Sequence, residues 1–205
     1  MTQIGRILKW ALLSIAVVSV ALLAFRLYRS LNGPALQPWH TFVPHELSAD
    51  QIDATNWTSY LAHEDEIMAS VRAEVSQKLP PSERVPINRY FEASPVYPAH
   101  FAHNWNRSYI LEPDVKPIGV VVLLHGLTDS PYSLRHVAQH YRDRGFVAIG
   151  LRMPGHGTVP AGLTAARWED WMAATRLAVR EARRRVPAPA PLHLVGFSNG
   201  GALAM

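Results

Sequence analysis

The chain's 205 residues, 48% of them hydrophobic, suffice to bury one sizeable core and are too apolar for a disordered protein. The net charge of +4 does not mark a nucleic-acid surface: Arg6, Lys9, Arg26 and Arg29 carry it, and without them 16 basic side chains balance 16 acidic ones. The absence of cysteine excludes a disulfide scaffold, a thiol nucleophile and zinc–thiolate sites.

Between those N-terminal charges runs WALLSIAVVSVALLAF, Trp10 to Phe25, with no charged side chain. With Lys9 and Arg26 snorkelling, residues 7–28 reach across a hydrocarbon core of about 30 Å at about 1.5 Å per residue. The stretch is apolar all round rather than along one stripe, which favours a transmembrane anchor over a core helix. A signal peptide cleaved after Ser19-Val20-Ala21 is the competing reading, and it would leave Leu22 to Phe25 exposed on the mature end. Two basic residues precede the span and two follow it, so the α-amine of Met1 tips the expectation toward an inside N-terminus.

Gly33, Pro34, Pro38 and Pro44 around isolated aromatics predict an extended linker over 31–47. From 48 to 79, Trp57, Tyr60, Leu61, Met68, Val71, Val75 and Leu79 fall at three- and four-residue steps and predict a helix, which Pro80-Pro81 must end. The Pro- and aromatic-rich segment 87–117 holds one expected strand, Arg107 to Pro113. Linker and helical arm thus occupy 31–104.

From 105 onward the pattern becomes that of a parallel sheet with crossover helices. Ile118 to Gly126 is a continuous apolar run of the kind buried on both faces. A helix follows, capped by Asp129 or Ser130 with Pro131 at its first position and closed by Gly145. Phe146 to Met153 is the next strand. A longer helix over 165–186 carries Trp168, Trp171, Met172, Thr175, Ala178 and Ala182 as its expected buried stripe, and both tryptophans read as core. LHLVGF, Leu192 to Phe197, is a third buried strand. Strand, helix, strand, helix, strand argues an α/β fold with right-handed crossovers.

Gly196-Phe197-Ser198-Asn199-Gly200 sits directly after that last strand and before an expected helix. A serine on so sharp a turn needs glycine two residues to either side, because a Cβ there would meet neighbouring backbone. The turn lifts the hydroxyl off the strand end and aims the Asn199 N–H at charge developing on an attacked carbonyl. A second donor should come from the loop after an earlier strand, where the Leu127 N–H fits.

VVLLHGLTDSPYS, LRMPGHGT and LVGFSNGGALA together resemble the α/β-hydrolase fold, in its bacterial lysophospholipase, monoglyceride-lipase and serine-aminopeptidase-like branch. The resemblance covers 105–205, expected as a partial α/β-hydrolase domain, and leaves the first 90 residues without a counterpart. It implies that Ser198 is the nucleophile and that Leu127 and Asn199 form the oxyanion hole through backbone N–H. It makes His125 and the Gly155-His156-Gly157 turn structural neighbours of the site. With the anchor, it places the protein in a bacterial inner membrane with the domain outside the cytoplasm.

In that family the chain order is serine, acid, histidine. Only seven residues follow Ser198, none able to act as acid or base, so the expectation is the N-terminal part of a hydrolase with an exposed strand edge. His193, five residues back along the same strand, lies about 16 Å away at about 3.3 Å per residue. His125 and His156 are geometrically possible bases but read as loop-stabilising side chains.

The sequence therefore leads to a membrane-anchored serine hydrolase of carboxylic esters, lipid-like in substrate and acting through an acyl-enzyme. Two other readings stay open: a non-catalytic membrane-tethered α/β module binding an acyl ligand or a partner, and an aminopeptidase on the same scaffold. No cofactor, metal or nucleic-acid partner is expected.

Overall fold

The structure is a computed structural model that describes residues 3–205. Met1, whose α-amine entered the orientation expectation, lies outside the described residues. The chain divides into two units after Leu36.

The first unit holds one helix, α1 (Gln3–Leu31). Over Gly5–Leu31 it is long and apolar enough to cross a membrane, an 18-residue stretch of it having a mean hydropathy of 2.3 with none of that stretch buried. A membrane anchor and a signal sequence share this length and composition.

The second unit begins with α2 (Pro38–Thr41), α3 (Ala49–Asp53) and α4 (Trp57–Val71), which runs on into a π-helical turn at Arg72–Ser76. After 3₁₀ turns at Pro81–Glu83 and Pro98–His100 come β1 (Tyr109–Leu111) and β2 (Gly119–Leu124). A 3₁₀ turn at Pro131–Leu134 leads into α5 (Arg135–Arg142), and then follow β3 (Phe146–Leu151), α6 (Trp168–Arg185), β4 (Leu192–Gly196) and α7 (Asn199–Ala204). The four strands form one sheet in the order β1-β3-β2-β4. β2 runs parallel to both β3 and β4, with Val120 opposite Val147 and Leu192, and β1 is antiparallel to β3.

Side-chain alternation along β2 explains why the sheet is covered on both faces. Val120, Val122 and Leu124 point, with Val147, Ile149 and Leu151, into a core closed by Ala174, Leu177 and Ala178 of α6. Val121, Leu123 and Ala148 point the other way, against Tyr109 and Ala138 of α5. All six residues of β2 are buried. β4 lies at the sheet edge, and His193, Leu194 and Gly196 are exposed there.

The residues before the sheet are part of this core. Ile52, Trp57 and Tyr60 pack in the same cluster as α6, and each contributes about 1.5–3 kcal/mol by leaving water. The expected continuous helix over 48–79 is divided: the Asn56 side chain accepts the Ser59 N–H at 2.9 Å and starts α4 afresh. A cap residue in mid-pattern competes with the helix ladder, and the apolar spacing does not register it. Arg107 to Pro113 yields a strand of only three residues, and Arg107 instead pairs with Asp65 at 2.5 Å.

In α6 the buried stripe is Asp170, Ala173, Ala174, Leu177, Ala178, Glu181 and Ala182, with Thr175 beside it. Trp168 is 63% exposed and Met172 only half-buried, against the expected stripe. The sheet leaves room for alanines where α6 approaches it, so the bulky first-turn indole stays outside. Trp171 is half-buried and donates its Nε1–H to the Pro154 carbonyl at 3.0 Å.

Residues 37–47, expected as linker, belong to this unit and supply one partner of a buried ion pair. Arg152, 0% exposed at the end of β3, makes a two-point pair with Glu46, Nη1 to Oε1 at 2.8 Å and Nη2 to Oε2 at 2.9 Å. Its Nε stands 3.2 Å from Oε1 of the buried Glu64 but is not aligned for a hydrogen bond. Glu46 also accepts the Gly155 N–H at 2.8 Å, and Glu64 accepts from both N–H and O–H of Ser108. Burial opposes ionisation of Glu46, but the guanidinium and the Gly155 N–H more than offset it and hold its carboxyl below the usual range. For Glu64, burial wins and its carboxyl titrates higher than usual.

Candidate active site

β4 ends at Gly196 and α7 begins at Asn199, so Phe197 and Ser198 must reverse the chain alone. Ser198 does so at φ +53° and ψ −116°, a conformation that L-residues rarely adopt. The turn is packed too tightly for alternatives. A Cβ on Gly196 would lie 2.1 Å from the Gly200 carbonyl oxygen, and one on Gly200 would lie 2.0 Å from that of Leu124. The Phe197 N–H donates to Leu124 O at 3.0 Å, tying the turn to the end of β2. The Ser198 side chain stays exposed and has no hydrogen-bond partner among the described residues.

The neighbouring strand ends in a second strained turn. Asp129 N–H donates to Gly126 O at 3.3 Å, and between them Thr128 has φ +63°. Among the described residues, Thr128 and Ser198 are the non-glycine positions with positive φ. Such backbones cost about 1–3 kcal/mol each and persist where the surroundings over-determine them, as at reactive sites. The two lie past the carboxyl ends of β2 and β4, which are adjacent and parallel, where open α/β sheets bind ligands.

Of the expected oxyanion donors, neither the Leu127 N–H nor the Asn199 N–H is engaged by an acceptor among the described residues. Free N–H groups on strained turns are the donors an oxyanion needs. Sequence reasoning missed Thr128, since only glycine or asparagine signals a positive φ in advance. It also missed the Glu46–Arg152–Glu64 cluster, for which the one signal is a lone charge, Arg152, closing an apolar strand.

The histidines serve the scaffold. His125 is 0% exposed; its Nδ1–H donates to Gly126 O at 2.9 Å and its Nε2 accepts the Met153 N–H at 3.2 Å. Burial pushes its pKa down to about 4, so the ring is neutral and both nitrogens are committed. His156 donates Nδ1–H to Pro154 O at 3.0 Å, and its ring stands edge-on to His125 and Trp171. Burial lowers its pKa as well. His193 lies beside Tyr141, Nδ1 to Oη 3.3 Å. None of the three is hydrogen-bonded to Ser198.

Residues 115–205 match the family Hydrolase_4, described as serine aminopeptidase, S33. That stretch contains β2, β3, β4 and both strained turns. Over these residues the chain is similar to the α/β-hydrolase family. The thermostable monoacylglycerol lipase of Bacillus sp. (strain H-257) is 30% identical over 89 residues, 43% of this chain and 34% of its own length. The chain thus spans about a third of the length of that curated relative. A solved structure described as that of LipS and LipT, two metagenome-derived lipolytic enzymes, is 32% identical with a TM-score of 0.44, over 49% of this chain and 38% of its own. The α/β-hydrolase core here is the mixed four-stranded sheet with its crossover helices, and the arm of residues 37–104 packs on it ahead of the matched residues.

Proposed function

We propose that the protein is a serine hydrolase of carboxylic esters, held to a membrane by α1, with Ser198 as nucleophile. The observation that carries the reading is the Ser198 backbone, kept at positive φ on a strand-to-helix turn whose flanking glycines admit no Cβ. In this reading Ser198 Oγ attacks the ester carbonyl carbon while its proton passes to a general base. The oxyanion accepts hydrogen bonds from the Leu127 and Asn199 N–H groups, the alkoxide leaves with a proton, and water then cleaves the acyl-enzyme. None of His125, His156 and His193 is hydrogen-bonded to Ser198, so the base is a group that no contact of the described residues supplies.

The acyl preference is proposed as lipid-like, supported by the relative named a monoacylglycerol lipase and by an apolar α1 suited to a membrane surface. A second reading, an aminopeptidase, is favoured by the description of the matched family. Monoacylglycerol set against an aminoacyl p-nitroanilide separates the two. The test of the nucleophile is covalent labelling by a fluorophosphonate in membranes carrying the protein expressed from its own gene. Labelling lost in Ser198→Ala is the expected result; equal labelling of that variant would refute the assignment.

A further inference from the structure

Residues 89–106, which precede the family match, and the turn that opens α5 surround two adjoining clefts. The first, about 350 Å³, is the more polar of the two and reaches Thr128, Asp129, His156 and Thr158. Within it, Thr158 Oγ1 and His156 Nε2 are buried without a hydrogen-bond partner among the described residues. A native fold rarely leaves two such atoms unanswered on the wall of one cleft. The second cleft, about 610 Å³, is largely apolar and is floored by Val96, Pro98, Phe101 and Trp105. Arg89, Asn106 and Tyr132 line both, so the two form one groove with a polar and an apolar end.

The apolar end is more exposed than a finished core would be: Phe101 is 57% and Val96 46% accessible. Its volume falls within the roughly 300–1,000 Å³ of small-molecule sites. Two arginines and no acidic residue line it. Arg89 and Arg135 make no ion pair among the described residues. Arg135 is instead pre-positioned, stacked 3.7 Å over the Tyr132 ring and donating to the Tyr132 carbonyl at 2.8 Å. Charge of the opposite sign sits only at the polar end, where Asp129 accepts the Ser130 N–H at 2.7 Å. That carboxylate disfavours an anion deep in the polar cleft and leaves the junction at Arg89 and Arg135 as the favourable place for one.

We propose that this groove binds a single-chain amphiphile with an anionic head group. The alkyl chain lies on Phe101 and Trp105, the carboxylate or phosphate sits between Arg89 and Arg135, and a neutral hydroxyl of the head reaches toward Thr158 and His156. Ser198 lines neither cleft, so this binding stands independently of the hydrolase reading.

The test is photolabelling of the full chain in phosphatidylcholine nanodiscs with three diazirine-bearing C12 probes: lauric acid, lysophosphatidic acid and uncharged monolaurin. Peptide mapping reads where each attaches. Labelling of 96–105 and 132–135 by at least one anionic probe, several-fold above monolaurin, is expected, and the stronger of the two identifies the head group. Arg89→Gln with Arg135→Gln should lower the anionic labelling about tenfold, as expected for the loss of charge-assisted contacts, while leaving the near-UV circular dichroism unchanged. Phe101→Asp should lower all labelling of the groove. Labels confined to α1, monolaurin labelling equal to the anionic probes, or undiminished labelling of the double arginine variant would each overturn the proposal.

Discussion

Glu46→Ala tests whether the arm is bound to the sheet by buried charge or only by apolar contact. The substitution takes both carboxylate oxygens from an arginine that is 0% exposed, and it removes the acceptor of the Gly155 N–H. Removing one partner of a buried pair costs about 3–5 kcal/mol, because the remaining charge is left without its counterion. Here Glu64 stays 3.2 Å from Arg152 Nε and keeps part of the compensation, so the lower end, about 3 kcal/mol, is expected. For a domain of this size that lowers Tm by about 6–12 °C. Glu46→Gln, which retains one acceptor oxygen, should lose about half as much. The control is Glu92→Ala, whose partner Arg72 is 60% exposed and whose loss should cost under about 1 kcal/mol. Thermal unfolding in non-ionic micelles, followed by near-UV circular dichroism, measures all three. A Glu46→Ala destabilisation within about 1 kcal/mol of the Glu92→Ala control would show that the pair does not clamp the arm.

His125 should make the fold acid-sensitive. Its folded pKa of about 4 lies below its ordinary 6.5, so between those values the unfolded chain binds more protons. Stability is therefore complete above about pH 6.5 and falls by roughly 3 kcal/mol as the pH drops to 4. His156 is shifted in the same direction and should add to the slope. Denaturant unfolding from pH 7 to 4.5 checks this, and a slope unchanged in His125→Gln would rule out the assignment. Ser198→Gly should abolish fluorophosphonate labelling while raising stability by about 0.5–1 kcal/mol, since relief of a positive φ outweighs the extra chain entropy of glycine. A destabilised Ser198→Gly would mean that the φ of +53° carries no strain.

The matched part of the chain was legible because its signals are local. Apolar runs at Ile118 to Gly126 and Phe146 to Met153 became β2 and β3, each shortened at its C-terminal end where the loop toward the site begins. Ser130 and Pro131 opened the turn into α5, and Gly145 closed it with φ +84°. The arm was harder to read, since Trp57, Tyr60 and Val71 follow the helical spacing while Asn56 and the buried Glu64 interrupt it. Trp168 misled for a related reason: hydrophobicity predicts burial only where a partner surface exists, and α6 meets the sheet through its alanines.

By itself the sequence determined the apolar span of α1, the succession of strands and helices after residue 105, and the glycine-flanked serine. Each of these depends on periodicity or on steric needs within a few residues. Only the tertiary structure decided that Glu46, 106 positions from Arg152, closes a buried ion pair, that His125 spends both ring nitrogens on backbone, and that Thr128 mirrors Ser198 at the neighbouring strand end. Such contacts arise from which strands become neighbours, and pairing β2 between β3 and β4 is a property of the packed sheet that no single segment encodes.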